Sequence, residues 1–401
     1  MVRLSDTDEG LKKHLEDLNC GVYETTPWVS APSLDQCRVA IISTAGLHLR
    51  GDRPFEIGAS NYRIIEGQVM SKDLVMSHIS SNFDRTGFQR DINVVFPIDR
   101  LRELASQGII SSVADYHYSF MGATDPRKMS TATSELIHLF KKDQVNVVLL
   151  SPVCPLCTRA VGGLAHQIEE GGIATTQISL VRLHTEKIRP PRALWVPFEL
   201  GRPFGPPDDK KFQMSVLNSA LELLKRNRGP VLEDYPYDAP ISSDEGLDWV
   251  CPLNLGSVNQ PTDEIESIRH EINEEIARLQ PWYDRAVVAR ERTTFGISGL
   301  NTSSITNLFM SMLQNELPKS PRKGVPLVEM LRLSAEDIKA FYLEAISAQP
   351  GGLSGAELRH WFWTNTATAR VLRRIADKLT EESDPDLQLA GNILLVPRAE
   401  S

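Results

Sequence analysis

Cys154 and Cys157, in "VVLLSPVCPLCTR", put two thiols two residues apart, the spacing in this chain most suited to redox or metal chemistry. At that spacing the thiols can close to a disulfide, so one sulfur can attack and the other resolve. The apolar run over 145–151 predicts a strand, and "TRAVGGLAHQIEEGG" predicts a helix stopped by Gly171-Gly172. Both cysteines then fall in the turn entering that helix, at the carboxyl edge of a sheet, where open α/β folds bind ligands. Unpaired N–H groups and the positive helix end favour thiolate there, and Arg159 can add positive charge. A metal site is the second reading, but no second C-x-x-C or H-x₃₋₅-H tract supplies the remaining ligands. His166 falls on the opposite side of the helix from Cys157 at about 100° per residue. The third reading is two buried structural thiols. Spacing alone leaves all three open.

Two further stretches hold polar side chains dense enough for chemistry. "SHISSNFDRTGFQRDINVVFPIDR" packs His78, Asp84, Arg85, Thr86, Arg90, Asp91 and Arg100 between apolar segments. Such a cluster beside a strand end suits an anion-binding or acid–base loop, or equally a solvated loop tied by its own ion pairs. "DYHYSFMGATDP" sets His117 between tyrosines, where a half-buried histidine reads as structural before catalytic. "STAGLHLRGDRP" lacks the glycine spacing of phosphate-cradling loops, so no nucleotide is assigned and no cofactor is identified. "HWFW" reads as core, and Cys20, Cys37 and Cys251 stand alone.

The elements that must position these residues are set by periodicity. "CRVAIISTAGLHL" reads as a strand ending in a glycine loop, and "DLVMSHISSNF" as a second strand. "DINVVFPIDRLRELASQG" runs from an extended segment into a helix that Pro97 opens and Gly108 stops. A helix over 126–143 precedes the strand at 145–151. "IATTQISLV" and "ALWVPFEL" are further strands, with a helix over 210–227 after them. This alternation predicts an α/β fold, a mostly parallel sheet sandwiched by helices in a Rossmann-like arrangement. Beyond the Pro-, Gly- and acid-rich "RNRGPVLEDYPYDAPISSDEG" the pattern turns helical. "TDEIESIRHEINEEIARLQPWYDRAVVARERT" is interrupted at Pro281, and "SITNLFMSMLQNEL", "SAEDIKAFYLEAIS" and "SGAELRHWFWTNTATARVLRRIADKL" are capped amphipathic helices. The expected division is a lead-in over 1–36, an α/β domain over 37–230, a linker over 231–249 and a C-terminal all-α domain over 250–401.

Composition narrows the function classes. In 401 residues an apolar fraction of 41% supports a sizeable core. A net charge of -9 argues against nucleic-acid binding, which needs a basic stripe. No apolar run approaches the roughly 20 residues of a membrane span, and the polar start has no signal-peptide core, so a cytoplasmic location is expected. Five cysteines in such a chain do not make a disulfide scaffold.

Several of these stretches, in this order, resemble the selenoprotein B family of the glycine, betaine, sarcosine and D-proline reductases. The resemblance runs from about 38 to 230. It rests on "STAGL", "SH…DRTGFQRDINVVFPIDRLREL", "HYSFMG", "PVCPLCTR" and "HTEKIRPPRALWVPFELGRPFG". In that family a selenocysteine stands two residues before a cysteine that leads into Thr-Arg. Cys154 falls on the selenocysteine position, and Cys157, Thr158 and Arg159 match the cysteine, threonine and arginine. The resemblance implies that Cys154 is the nucleophile, Cys157 its resolving partner, and reductive cleavage of a carbon–heteroatom bond the reaction. It also implies an external thiol or thioredoxin-like reductant. The family's pyruvoyl group on a partner subunit has no counterpart segment here.

The first expectation is therefore a thiol-dependent reductase acting on a small molecule. Cys154 and Cys157 do the redox step, His78 or His117 supplies a proton, and Arg85, Thr158 and Arg159 bind substrate or stabilise thiolate. The alternatives are a metal-binding protein or a non-catalytic substrate-binding subunit docked through its helical tail. A partner subunit and a homo-oligomer are both compatible with the sequence.

Overall fold

The computed structural model describes residues 9–240, 263–314, 317–350 and 353–400. Ten strands and thirteen helices succeed one another in these segments. The strands are β1 Arg38–Ser43, β2 Leu47–Leu49, β3 Tyr62–Glu66, β4 Leu74–Met76, β5 Ser112–Val113, β6 Tyr116–Phe120, β7 Val147–Ser151, β8 Ala174–Ser179, β9 Arg192–Trp195 and β10 Val231–Asp234. The helices among and before them are α1 Glu9–Asp17, α2 Thr86–Arg90, α3 Ile98–Ser106, α4 Ser130–Lys142, α5 Pro155–Glu170, α6 Arg182–Ile188 and α7 Lys210–Glu222.

The main sheet runs in the order β10-β9-β8-β7-β1-β6-β3, with β5 also on β1. Every pairing is parallel except β3 on β6. β7 and β8 are buried at every position, as expected where helices cover both faces. From β1 the chain builds β5 and β6 on one side, then crosses to β7 on the other. The strand order therefore reverses between β1 and β7, and their carboxyl ends open onto the switch-point crevice. A separate antiparallel pair, β2 with β4, stands beside this edge.

Contacts divide the chain into two compact units, Met1–Ile79 with Phe83–Pro240, and Ser80–Asn82 with Ile241–Ser401. Among the described residues the second unit is helical: α8 Glu264–Arg290, α9 Thr302–Met312, α10 Leu327–Ile346, α11 Gly355–Asn365, α12 Ala367–Thr380 and α13 Pro385–Leu389. Its buried acids are satisfied by local donors. Asp337 accepts the N–H groups of Gly296, Ile297 and Ser298, and Glu275 accepts the Tyr342 hydroxyl and the Ala367 N–H.

Four expectations are corrected. Pro281 does not interrupt α8, which runs through it; the lost hydrogen bond is offset by a stripe burying Ile272, Leu279 and Ala286. Ser334 is not a cap, because α10 starts at Leu327 behind Pro326 and buries Ser334 inside it. One expected helix is two, with the Thr366 side chain accepting the Ala369 N–H to start α12. Residues 231–234 of the expected linker form the edge strand β10, while 241–249 lie outside the described residues.

The helix that carries the cysteines is anchored at its far end by a buried ion pair. Glu169 on α5 meets Arg192 of β9 at 2.7 Å, both fully buried as side chains, and also accepts the Thr175 N–H and hydroxyl. Arg192 stacks on Trp28 with its guanidinium carbon 3.6 Å from the ring centroid. Removing one partner strands a buried charge. Arg192→Leu is expected to cost about 3–5 kcal/mol in urea unfolding, and Arg192→Leu/Glu169→Leu to recover most of it.

Candidate active site

The segment after β7 passes through Pro152 and Val153, bends at Cys154 and enters α5 at Pro155, a residue suited to the first turn because it lacks an N–H to satisfy. Cys154 is the N-cap residue, with extended backbone, and its Sγ accepts the Cys157 N–H at 3.2 Å. The two sulfurs are 2.6 Å apart and not bonded, and neither residue is exposed. One helical turn accounts for their approach: the N-cap side chain folds over the first turn, where residue 157 sits.

His78 completes the cluster. Its Nε2 lies 3.2 Å from Cys157 Sγ and 3.8 Å from Cys154 Sγ, and the residue is fully buried. It stands two residues past β4, in a loop rather than in the strand expected over 73–83. Ser77 N–H donates to Gly46 O, and Gly46 has a positive φ of 66° with no space for a Cβ against the His78 backbone. The Arg85 guanidinium donates to His78 O at 2.8 Å and lies over the Phe83 ring, which meets the His78 ring edge-on at 5.0 Å.

The rest of the crevice is backbone and glycine. Thr44, just after β1, places its carbonyl oxygen 3.5 Å from Cys157 Sγ and is held by its own N–H and hydroxyl on Ser151 O. Gly122, after β6, has a φ of 78°, and a Cβ there would sit 2.5 Å from Thr44 O and 2.9 Å from Cys157 Sγ. Below the turn, Gly201 N–H donates to Val153 O, and Arg202 pairs with buried Asp84 at 2.6 Å. His184 reaches Pro155 O at 3.3 Å and Leu15 O at 2.7 Å, tying the cysteine turn to α1.

Two sulfurs this close cannot both be anionic, so they share a proton. Burial, together with its neighbour's charge, pushes the Cys154 thiol well above its usual range. Burial opposes charge on Cys157 as well, but the hydrogen bond from Cys154 and the His78 imidazole outweigh it and hold this thiol well below its usual range. Charge on the pair is therefore favoured on Cys157 over Cys154.

The other sequence-selected residues are placed differently. Arg159 turns away and donates to Asn19 O, and Thr158 bonds the Cys154 carbonyl within the helix. His166 packs on Tyr23 and meets Ile188 O. His117 is fully buried rather than half-buried. It lies on β6 three residues before Phe120, about 10 Å down the strand from the sheet edge at about 3.3 Å per residue. Its Nδ1 accepts the Ile41 N–H, and burial first, then Arg102 and Arg38, pushes its pKa down to about 3. The structure brings His78 to the sulfurs and leaves His117 in the core. Thr44, Gly122, Arg202 and His184 were missed by motif reading; their signal lay in "STAGL", "HYSFMG", "ELGRP" and "HTEK", whose meaning is steric.

Comparison with known proteins gives this site a context. The family model "Glycine/sarcosine/betaine reductase selenoprotein B" matches residues 23–153, ending one residue before Cys154. The chain is 31% identical over 206 residues to the D-proline reductase subunit gamma of Acetoanaerobium sticklandii, covering 50% of this chain and 84% of that one. This chain belongs to the selenoprotein B family. It is also 27% identical to the glycine reductase complex component B subunit gamma of Symbiobacterium thermophilum. To the sarcosine reductase complex component B subunit beta of Peptoclostridium acidaminophilum it is 28% identical. It spans about half the length of these two, 47% and 48%. No solved structure matches the chain, and no described helix is long and apolar enough to cross a membrane.

Two outcomes are expected. The unfolded His117 takes up a proton near its ordinary pKa while the folded one does not until about pH 3, so stability is lost as pH falls. Urea unfolding should lose about 3 kcal/mol through this residue between about pH 7 and about pH 4. His117→Asn, which keeps an acceptor for Ile41, should flatten that slope. Gly122→Ala should lower stability by about 1–3 kcal/mol and displace Cys157, read as a changed thiolate titration in the ultraviolet.

Proposed function

We propose that this chain reductively cleaves a carbon–heteroatom bond of a small molecule with the Cys154–Cys157 pair, and that His78 handles the proton. The observation that carries this reading is the 2.6 Å contact between the two sulfurs with His78 Nε2 within 3.8 Å of both, at the switch-point crevice. Membership of a family whose named relatives are subunits of D-proline, glycine and sarcosine reductases supports a reductive role.

The chemistry balances with two thiols as reductant. Cys154 passes its proton to Cys157 across the short contact as its sulfur attacks carbon. The heteroatom leaves with its bonding pair and takes a proton drawn from solvent by way of His78. Cys157 sulfur then attacks Cys154 sulfur, the carbon departs with the bonding pair and is protonated, and the disulfide remains. An external thiol or thioredoxin-like donor returns the two electrons. Because the second step expels carbon with its electron pair, the scissile bond must lie beside a carbonyl or comparable electron-withdrawing group. Arg85 holds the His78 carbonyl, which makes it a positioning residue in this scheme; Thr158 and Arg159 are left for the opened, substrate-bound site. Both sulfurs are buried, so turnover requires the surrounding loops to part. A partner subunit that presents the substrate fits the same family context.

Mass spectrometry of the 154–157 peptide after incubation with α-substituted carbonyl compounds tests the scheme. An adduct on Cys154 and then a 154–157 disulfide are expected, and Cys154→Ser should lower turnover at least ~10³-fold with folding intact. Adducts confined to Cys157 would reverse the two roles, and wild-type turnover in Cys154→Ser would end the proposal.

A further inference from the structure

The same three side chains form a donor set that no single stretch of sequence contains. His78 Nε2, Cys154 Sγ and Cys157 Sγ all lie within 4.8 Å of one another, and all three residues are buried. Two come from a C-x-x-C turn, a spacing common among zinc ligands, and the third arrives from the loop after β4. Ligand tracts in the sequence do not reveal this set, because the sheet edge supplies its histidine from 76 positions upstream of Cys154.

We propose that the reduced chain binds one Zn²⁺ ion on His78, Cys154 and Cys157, and that the zinc-loaded form cannot perform the dithiol step. Tetrahedral zinc, with bonds of about 2.3 Å to sulfur and about 2.0 Å to nitrogen, holds its sulfurs about 3.7 Å apart and each about 3.5 Å from the imidazole nitrogen. The two nitrogen–sulfur separations, 3.2 and 3.8 Å, bracket that value. The sulfur–sulfur separation, 2.6 Å, must widen by about 1 Å to admit the ion. Two thiolates and an imidazole suit zinc over magnesium or calcium, which take oxygen ligands. Among the described residues no fourth His, Cys, Asp or Glu joins the cluster, so the three side chains leave a fourth zinc position for another ligand such as water or a small thiol.

Uptake is an exchange without electron transfer: the ion enters and the proton shared by the two sulfurs leaves. With both sulfurs bonded to zinc, neither attacks carbon or the other. The binding stands independently of the proposed reaction; the silencing rests on it.

The test takes the full chain, reduced and stripped of metal, and titrates it anaerobically with Cd²⁺ and then Zn²⁺. One ion per chain is expected, with a thiolate-to-cadmium charge-transfer band. The band should vanish in Cys157→Ser, and binding should weaken at least about tenfold in His78→Gln. Zinc should block alkylation of Cys154 and Cys157 while leaving the rates at Cys20 and Cys37 unchanged. Failure of the wild-type chain to bind an equivalent of zinc overturns the site, as does wild-type affinity in His78→Gln. A His78→Gln chain without a cooperative unfolding transition passes its part of the test to Cys154→Ser. Stoichiometric zinc that does not slow 154–157 disulfide formation overturns the silencing. Failure of the reductase scheme shows separately, as no disulfide with any electrophile, and leaves the zinc titration readable.

Discussion

The contact between Cys154 and Cys157 is the constraint around which the α/β unit is arranged. Sulfurs 2.6 Å apart cannot both carry a charge, and both are out of water. A buried anion of this kind persists only if fixed donors meet it. The first turn of α5 meets Cys154 Sγ with the Cys157 N–H, and His78 Nε2 comes within 3.2 Å of Cys157 Sγ from a different element. The helix start orients Cys154, and the hydrogen bond from Cys154 together with the imidazole favours charge on Cys157.

Crowding shapes everything else at the site. Parallel strands end at one level, so the segments leaving β1, β6 and β7 converge on the same small volume. Thr44, Gly122 and Cys154 occupy it, and a single Cβ at position 122 would collide with both Thr44 O and Cys157 Sγ. The positive φ at Gly46 and Gly122 lets the chain turn away from the sheet without a side chain intruding. The ion pair of Arg202 with Asp84 then braces the loops beneath the cysteine turn, and Glu169 with Arg192 fixes the opposite end of α5. From the stretches that carry the family resemblance, Thr44, His78, Gly122, Cys154 and Cys157 meet in one crevice.

The helical unit is built on a different principle. Its buried carboxylates Glu275, Asp337 and Glu344 on α8 and α10 cap neighbouring backbone segments and are satisfied there. The family model stops at residue 153, well before this unit, so its role stands outside what family membership explains.

Local chemistry made part of this protein legible in one dimension. The alternation of apolar runs and helical periods marked the α/β class, and a strand, a Ser-Pro and a glycine-stopped helix together placed Cys154 and Cys157 at a helix start. Such features depend on residues within one turn or one strand of each other. The short strand β10 escaped because four half-exposed residues between prolines carry too little pattern, and α8 passed through Pro281 because burial of its apolar stripe outweighed one lost hydrogen bond. His78 and His117 looked alike in sequence, each a histidine beside an apolar run. Strand order and depth separate them: β4 ends at the crevice and delivers His78 to the sulfurs, whereas β6 buries His117 three residues short of the edge. Which distant side chains meet is set by the order in which strands pack, a long-range property. The sequence alone therefore determined the dithiol and its helix, and the tertiary structure decided its histidine, its walls and the site of its charge.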